Sequence, residues 1–289
     1  MRVRKVSRDD LAAAMREVWA DRSRRPYVEG EWGYVPVLDG FQADLDLPER
    51  RPYQGRSFQM IGDTAVLHGP RPTEEEVAAV VAWRRPACVL YLAGIDGVRR
   101  LPQAEVLYGE PHQVCHRENG FRYWLNPAEV MFAQGNLDER RLMGRTVTSG
   151  ERVADMFAGI GYFTVPMASA GARVHAMEIN PVSFGYLRRN ITENRLEARV
   201  RPERGDCRDL LDGVYDRVVM GHFDAPGFFA AALAHAEAGT VIHLHALGDA
   251  AAVAEAAAKD AGFTAAVTTR KVKKYGPHIW HVVHDVVLS

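Results

Sequence analysis

The chain has 289 residues, which is enough for two domains, and its 47% hydrophobic and 25% charged residues are typical of a soluble globular protein. No run of about 18 apolar residues occurs, so neither a membrane-spanning helix nor a secretory signal is expected. A net charge of −1 and a sequence pI of about 6.8 exclude a uniformly basic surface. The three cysteines (Cys88, Cys115 and Cys207) are widely spaced, which indicates a reduced, cytoplasmic protein without disulfides.

The amino-terminal part, residues 1–60, is interpreted as an extension. The sequence predicts a helix over residues 9–20. A stretch rich in proline, glycine and aspartate follows as far as Pro52, and it is expected to be extended or loop-like. Nothing in this sequence assigns a function to the extension.

Residues 61–130 are predicted to form a small mixed α+β module. Thr73 and Glu76 have the spacing of a capping box, so a helix is expected to begin there and to reach Trp83. Short runs of β-forming residues lie on both sides of that helix. The expected strands cover residues 64–67, 88–92 and 122–125.

Residues 131–289 show an alternation of strands and helices that is typical of βαβ units and a mainly parallel sheet. The expected strands cover residues 153–157, 173–177, 198–201, 216–220 and 240–245, and the expected helices cover residues 163–170, 181–194 and 228–236. Two further strands, 265–271 and 279–288, are expected to form a hairpin at or near the sheet edge. The fold class is therefore α/β and Rossmann-like.

A glycine loop follows the first of these strands, in the segment 155–164 (DMFAGIGYFT). Gly159 and Gly161 permit positive φ and a close approach of a ligand to the backbone. The loop lacks the third glycine of a dinucleotide site and carries the bulky Tyr162 and Phe163 instead. This pattern favours a cofactor without phosphates.

Two acidic residues follow the next two strands. Glu178 lies where an acid can accept hydrogen bonds from ribose hydroxyls in a Rossmann-like fold. Asp206 follows the third strand and could bond the adenine amine, although the N-cap of a helix is an alternative role. A glycine loop, a ribose acid and an adenine acid in one βαβαβ run predict S-adenosylmethionine as the cofactor.

From residue 61 to the end, the sequence resembles the family that comprises the tRNA guanine-37 N1-methyltransferases and the aminocarboxypropyltransferases of wybutosine synthesis. The matching segments are 97–102 (GVRRLP), 116–120 (HRENG), 131–136 (MFAQGN), 139–140 (ER), 155–163 (DMFAGIGYF), 178–181 (EINP), 205–208 (GDCR) and 271–275 (KVKKY). The resemblance implies a class I methyltransferase fold with a small amino-terminal module. It also implies that the substrate is tRNA, modified at position 37 beside the anticodon.

The two branches of this family differ in the group that they transfer. One moves the methyl group to N1 of guanine, and the other moves the 3-amino-3-carboxypropyl group to a carbon of a tricyclic guanine derivative, leaving methylthioadenosine. Residues 131–136 look like the MFSxGN pattern of the second branch, and residues 220–223 (MGHF) replace the Asn-Leu-Pro or Asn-Pro-Pro type motif of the first. The resemblance therefore favours aminocarboxypropyl transfer. N1-methylation, a small-molecule methyltransferase and a non-catalytic RNA-binding protein are the alternatives.

The resemblance and the glycine loop together define the expected site. The expected cofactor-binding residues are Phe132, Ala133, Arg140, Asp155, Phe157, Ala158, Gly159, Gly161, Phe163, Glu178, Ile179, Asp206, Cys207 and Gly221. Ala133 replaces the serine that is usual in the family. Arg140 is expected to hold the carboxylate of the cofactor's methionine arm, or else to be a surface charge. His222 is the candidate catalytic residue, which would polarise or deprotonate the base, with a structural histidine as the alternative.

The tRNA would be positioned by phosphate contacts from basic residues. The candidates, chosen by charge, are Arg84, Arg85, Arg99, Arg100 and residues 271–274. No metal is expected, because His243 and His245 alternate along a strand, and His112, Cys115 and His116 lack a fourth ligand.

Overall fold

The structure is a computed structural model, and it describes residues 1–48, 53–132 and 136–289. The chain divides into two compact units, Met1–Gln54 and Gly55–Ser289.

The first unit is built on a small antiparallel sheet. Its elements are β1 (Arg2–Ser7), α1 (Leu11–Ala14), β2 (Tyr27–Glu29), β3 (Trp32–Pro36) and β4 (Leu45–Asp46). The strand order is β2-β3-β1-β4, and every pair is antiparallel. Ala14, Ala20 and Val35 form the buried core of this unit, with partly buried apolar side chains such as Trp19 packed around them.

The predicted helix over residues 9–20 is wrong beyond its first turn. Only Leu11–Ala14 are helical, and the chain then turns so that Ala20 forms an isolated bridge with Val37. A helix of four residues is not stable by itself. Packing against the rest of the unit, including the burial of Ala20 in its core, therefore determines the path of the chain after Ala14. Strands β2, β3 and β4 occupy part of the stretch that was expected to be extended or loop-like, while its residues 49–52 lie outside the described part of the chain.

The second unit begins with a four-stranded sheet and a separate hairpin. These elements are β5 (Gln59–Ile61), β6 (Thr64–Leu67), α2 (Glu74–Arg84), β7 (Cys88–Asp96), β8 (Leu101–Gly109), β9 (Val114–Glu118) and β10 (Phe121–Leu125). The sheet order is β5-β6-β7-β8, in which β6 and β7 are parallel and α2 connects them. Strands β9 and β10 pair with each other.

The capping box predicted for α2 is confirmed. The backbone N–H of Glu76 donates to the Thr73 hydroxyl at 3.3 Å, and the Thr73 N–H donates to the Glu76 carboxylate at 2.9 Å. The predicted strands over residues 64–67, 88–92 and 122–125 are confirmed within the bounds of β6, β7 and β10. Strands β8 and β9 were not predicted. Both are hairpin partners of neighbouring strands, and β8 is largely exposed, so it lacks an apolar run.

The rest of the second unit is a seven-stranded sheet with helices between its strands. Its elements are α3 (Leu137–Thr146), β11 (Arg152–Asp155), α4 (Thr164–Ser169), β12 (Arg173–Glu178), α5 (Pro181–Glu193), β13 (Val200–Arg204), α6 (Cys207–Leu210), β14 (Arg217–Met220), a 3-10 turn (Ala225–Phe228), α7 (Phe229–Leu233), β15 (Val241–Leu247), α8 (Ala251–Asp260), β16 (Ala265–Gly276) and β17 (Ile279–Leu288). The order is β13-β12-β11-β14-β15-β17-β16, parallel from β13 to β15, with β17 antiparallel to both neighbours. The α/β class and the edge hairpin are thus confirmed.

The strand order reverses direction between β11 and β14, so the loops that follow these two strands diverge. Ligands of open parallel sheets bind at the carboxyl ends of the strands at such a switch point. Asn190 of α5 stabilises the loop that follows β11 through hydrogen bonds. Its buried side chain accepts from the Trp124 N–H at 2.7 Å and donates to the Ile160 carbonyl in the glycine loop at 2.9 Å.

Four histidines are buried within the sheet, two on β15 and two on β17. His243, His245, His281 and His284 are each at most 3% exposed. Nδ1 of His245 lies 3.0 Å from Nε2 of His281. Burial lowers the pKa of all four imidazoles below the ordinary value, to about 4 for His281. They are therefore neutral at pH 7.

We expect the free energy of unfolding to fall as the pH is lowered from 7.5 to 5.5. Histidines of the unfolded chain bind protons below about pH 6.5, whereas those of the native state stay neutral until lower pH. Each contributes stability that is fully present above that pH, and it is lost at up to about 1.4 kcal/mol per pH unit below it. Urea unfolding at pH 7.5, 6.5 and 5.5 measures this slope.

The matched variant is His281→Gln, which removes one titrating group. The slope of its unfolding free energy against pH should be smaller by the contribution of one proton. Asp155 and Glu178 act in the opposite direction, because burial raises the pKa of both carboxyls. The comparison between wild type and variant isolates the histidine from these groups. An identical slope in the two proteins would contradict the prediction.

Candidate active site

The glycine loop connects β11 to α4 at the switch point. Gly159 has φ of 58° and Gly161 has φ of 100°, in the region that favours glycine. A Cβ on Gly159 would lie 2.6 Å from the ring of Tyr162, so a side chain there would displace the loop. The hydroxyl of Tyr162 donates to the backbone carbonyl of Met131, which fixes the ring across the loop.

Glu178 lies at the end of β12 and holds the loop in place. One carboxylate oxygen accepts from the Gly159 N–H at 2.7 Å, and the other accepts from the Asn180 N–H at 2.7 Å. Burial raises the pKa of this carboxyl, while the two backbone donors act against the rise. Each oxygen keeps a lone pair with which it can accept a hydroxyl donor from a ligand.

Asp206 and Cys207 follow β13, where α6 begins. Asp206 is the N-cap of this helix, since its carboxylate accepts from the Arg208 N–H at 3.0 Å, and it also forms a two-bond ion pair with the Arg208 guanidinium. The capping role and a position on the cavity wall therefore coexist. Burial raises the pKa of the Cys207 thiol to about 12, so the thiol remains protonated and is not a nucleophile.

Two adjoining cavities open at this edge of the sheet. The first, named here the glycine-loop cavity, is lined by Val98, Arg99, Arg100, Met131, Met156, Phe157, Gly159, Tyr162, Met177, Glu178, Ile179, Ser183, Gly205, Asp206, Cys207, Gly221, His222, Asp224 and Phe228. The second, named here the large cavity, has a volume of about 600 Å³. It is lined by Ser57, Phe58, Gln59, His68, Leu92, Gly94, Ile95, Arg100, Met131, Phe132, Asn136, Gly221, His222, Phe223, His245, Lys273 and Tyr275. Its size suits a small organic group.

His222 lines both cavities, and its environment fixes its tautomer. The backbone N–H of Asp224 donates to Nδ1 of His222 at 3.0 Å, so the proton of the neutral ring is on Nε2. The ring stacks on Phe157 at 5.3 Å, and Nε2 is buried without a hydrogen-bond partner among the described residues. Burial and the nearby Arg100 guanidinium lower the pKa of His222. The neutral ring can therefore donate a hydrogen bond from Nε2 but cannot accept a proton there.

Arg140 does not line either cavity. It is 2% exposed, and its Nε and Nη2 each lie 2.6 Å from an oxygen of Glu118 on β9. Its guanidinium also packs over the rings of Phe132 and Tyr162. The pair with Glu118 joins α3 to the β9–β10 hairpin, so Arg140 is buried and is not a surface charge, while its expected contact with the carboxylate of the methionine arm stays a prediction.

The other expected residues divide into two groups. Those on the cavity walls are Phe132, Phe157, Gly159, Glu178, Ile179, Asp206, Cys207, Gly221 and His222. Asp155, Ala158, Gly161 and Phe163 line neither cavity, and Ala133 lies outside the described residues. Asp155 supports the glycine loop from beneath, since its buried carboxylate accepts from the Thr164 hydroxyl at 2.7 Å and burial raises its pKa to about 6.

Several wall residues were not foreseen as cofactor contacts. The principal ones are Val98, Arg99, Arg100, Met131, Met156, Tyr162, Ser183 and Phe228. Residues 98–100 come from the turn between β7 and β8, far away in sequence from the glycine loop. The matching segment 97–102 is the one signal in the sequence for this turn, and the charge of its Arg99 and Arg100 predicts contacts with tRNA instead.

Two further features of the described residues concern membrane-spanning helices and metal-binding groups. Within the ranges that the structure describes, no helix is long and apolar enough to cross a membrane. The same residues contain no group of three or more His, Cys, Asp or Glu side chains that could hold a metal ion.

The parallel sheet, the glycine loop and the acids that follow β12 and β13 define a class I, S-adenosylmethionine-dependent methyltransferase fold. A family model described as the TRM5/TYW2 methyltransferase domain matches residues 114–273, more than half of the chain. The chain belongs to this family.

One relative and two solved structures are similar to this chain. The tRNA(Phe) (4-demethylwyosine(37)-C(7)) aminocarboxypropyltransferase of Methanocaldococcus jannaschii is 36% identical over 246 residues, which cover 80% of this chain and 97% of the relative. The crystal structure of M. jannaschii TYW2 in complex with AdoMet has a TM-score of 0.66 at 30% identity and covers 81% of this chain and 99% of that one. The crystal structure of Trm5b from Pyrococcus abyssi has a TM-score of 0.74 at 27% identity, with 99% of both chains covered.

Proposed function

We propose that this protein transfers the 3-amino-3-carboxypropyl group of S-adenosylmethionine to the tricyclic modified guanine at position 37 of tRNA and releases methylthioadenosine. The observation that carries the proposal is the 36% identity to an aminocarboxypropyltransferase over 97% of that relative's length. The sequence MGHF at residues 220–223 supports the same branch of the family. Within it, Gly221 and His222 line both cavities and Phe223 lines the large cavity.

The glycine-loop cavity fits S-adenosylmethionine. Gly159 and Glu178 both line this cavity, and the Glu178 carboxylate can accept hydrogen bonds from the two ribose hydroxyls. Asp206 lies at the wall where the adenine edge would be read, and Phe157 and Phe228 supply aromatic surface. The loop has no third glycine and thus no pyrophosphate cradle. The cavity walls therefore suit an adenosine group without phosphates.

When bound, S-adenosylmethionine would supply an electrophilic γ carbon. The bond from this carbon to sulfur would break, with the electron pair staying on sulfur, as the bond from the carbon to C7 of the base forms. C7 would then lose its proton to water. The chain's own contribution is to orient the groups, because alignment of the reacting atoms determines which carbon is attacked. His222 donates from Nε2 toward the base and polarises it. The fixed tautomer prevents the neutral His222 from acting as the base.

The large cavity receives the tricyclic base. Phe223 and Tyr275, with ring centres 5.3 Å apart, provide aromatic surface for a base that has left the anticodon loop. Gln59 and Lys273 provide polar groups for the edge of the base. The small module, residues 61–130, positions the tRNA backbone through basic residues such as Arg84, and the catalytic domain covers residues 131–289.

The decisive experiment identifies the small product. The protein is incubated with S-adenosylmethionine and tRNA that carries 4-demethylwyosine at position 37, and the products are analysed by mass spectrometry. We expect methylthioadenosine and an equal amount of tRNA with the added aminocarboxypropyl mass. The matched control is the same tRNA with unmodified guanosine at position 37, which should remain unchanged. S-adenosylhomocysteine together with a methylated tRNA would overturn the proposal and establish a methyltransferase.

A further inference from the structure

Two buried histidines form a hydrogen-bonded pair at the wall of the large cavity. His245 on β15 lines the large cavity and does not line the glycine-loop cavity. Its ring centre lies 5.1 Å from that of His281 on β17, and its Nδ1 lies 3.0 Å from Nε2 of His281. The two residues are 1% and 0% exposed. The rings therefore share one hydrogen bond in a setting from which bulk water is excluded.

Each ring of the pair has a second nitrogen that is not yet satisfied. Nε2 of His245 and Nδ1 of His281 are buried, and neither has a hydrogen-bond partner within residues 1–48, 53–132 and 136–289. Native proteins pair nearly all of their buried donors and acceptors, because an unpaired one is costly. Since His245 is the ring on the cavity wall, a ligand in the large cavity is a suitable partner for its Nε2.

The shared hydrogen bond couples the tautomers of the two rings. Burial lowers the pKa of both imidazoles, so both rings are neutral at pH 7 and each carries one N–H. If His245 donates from Nδ1, its Nε2 is an acceptor. If His281 donates from Nε2 instead, Nε2 of His245 carries the proton and is a donor. The pair can therefore present either an acceptor or a donor to the cavity, and both rings change tautomer together.

Aromatic neighbours fix the orientation of both rings. The His245 ring packs against Phe163 with centres 5.4 Å apart, and the His281 ring packs edge-on against Phe223 at 5.0 Å. Phe223 in turn contacts Tyr275 at 5.3 Å, and these last two side chains line the large cavity. The free nitrogen of His245 thus has a fixed position relative to the aromatic surface on which a base would stack.

We propose that Nε2 of His245 hydrogen-bonds the third ring of the tricyclic base, and that His281 sets the polarity of this contact, so that the pair favours the modified base over guanine. This inference rests on the proposed function and names a specificity determinant of the same site. Bases that leave an RNA loop are read by hydrogen bonds to their edges. Closing the third ring turns the exocyclic amino group of guanine into a ring nitrogen and enlarges the base. Guanine is one ring smaller, and we expect it to leave the contact with His245 unmade.

The test compares the affinities of two tRNAs for the full chain by fluorescence anisotropy. The tRNAs have the same sequence and carry either 4-demethylwyosine or guanosine at position 37. We expect His245→Phe to weaken the modified tRNA by about 10-fold and to leave the unmodified tRNA unchanged. His245→Gln should lose less, since its amide keeps a donor and an acceptor. The matched control is His235→Phe, which changes a histidine that lines neither cavity and should alter neither affinity.

A second variant tests the role of His281 as the partner of His245. His281→Phe keeps an aromatic ring beside Phe223 and removes the hydrogen bond to Nδ1 of His245. We expect a loss that is smaller than that of His245→Phe and is again confined to the modified tRNA. The affinity for S-adenosylmethionine, measured by titration calorimetry, should be the same in the wild type and in all of these variants, because neither histidine lines the glycine-loop cavity.

Three results would overturn the inference. Equal losses for the two tRNAs in His245→Phe would mean that His245 shapes the cavity without reading the base. Unchanged binding of the modified tRNA to folded His245→Phe would mean that other groups read it. Unchanged binding to His281→Phe would remove His281 from the contact. Failure of the proposed function is recognised separately, because it depends on the product that the wild type releases, whereas these affinities are measured without turnover.

Discussion

Replacing Glu178 with alanine is expected to weaken the binding of S-adenosylmethionine by about 100-fold or more, since hydrogen bonds to charged groups contribute about 1.5–3 kcal/mol each. The carboxylate has two roles, and the alanine variant loses both. It accepts from the backbone N–H groups of Gly159 and Asn180, each at 2.7 Å, and it is the expected acceptor for the ribose hydroxyls. Titration calorimetry with the purified variant measures the affinity.

The matched variant for this prediction is Glu178→Gln, which keeps the shape and one acceptor oxygen. Its amide NH2 group faces a backbone donor, so we expect a loss smaller than that of the alanine variant. Circular dichroism of both variants checks that the sheet is intact. A folded Glu178→Ala protein that binds the cofactor like the wild type would refute this assignment.

Replacing Arg270 with methionine is expected to lower the free energy of unfolding of the second unit by about 3 kcal/mol. This is the lower end of the roughly 3–5 kcal/mol lost when one partner of a buried ion pair is removed. Arg270 on β16 forms two hydrogen bonds to Glu139 of α3, at 3.1 and 2.8 Å, and an ion pair with Asp285 of β17. The variant leaves both carboxylates without this cation in a largely buried setting. Urea unfolding at pH 7.5 measures the change.

The network around Arg270 extends further into the sheet. Asp285 also accepts from Nδ1 of His243 at 2.5 Å, and Nε2 of His243 accepts from Arg217 at 2.6 Å. This chain of polar contacts connects α3 to the edge hairpin. Because α3 follows the segment that contains Met131, a loosened helix should also affect the walls of both cavities.

Two controls distinguish the network from general surface effects. Arg141→Met removes an exposed arginine of the same helix whose pair with Asp138 is 3.8 Å long, and its effect should stay below about 1 kcal/mol. In the double variant Arg270→Met with Glu139→Gln, part of the lost stability should return, because one unpaired charge is removed. Equal effects of Arg270→Met and Arg141→Met would show that the buried network contributes nothing.

The sequence predicted the catalytic fold and several residues that line the glycine-loop cavity, because the signals are local. Apolar runs that alternate with helical segments specify a parallel sheet, and the capping box at Thr73 specifies the start of α2. Gly159, Glu178 and Asp206 each follow a predicted strand, and parallel strands bring their carboxyl ends to one edge. These three residues line the glycine-loop cavity as the pattern indicated.

The missed features depend on partners that are distant along the chain. Arg140 pairs with Glu118, which the β9–β10 hairpin brings to it, and nothing near Arg140 in the sequence indicates that partner. The helix predicted over residues 9–20 yields to the burial of Ala20 against the first sheet. In both cases, packing between separate elements outweighs the local preference.

What the sequence by itself determined is the order of strands and helices, the glycine loop and the two acids, because backbone preference and periodicity are set within a few neighbouring residues. Only the tertiary structure decided which charges are already satisfied. In the folded chain, Arg140 pairs with Glu118, and Arg100 of the β7–β8 turn lines both cavities. The backbone N–H of Asp224 fixes the tautomer of His222. The physical reason is that the availability of a buried charge or donor depends on every group packed around it, and those groups come from all parts of the chain.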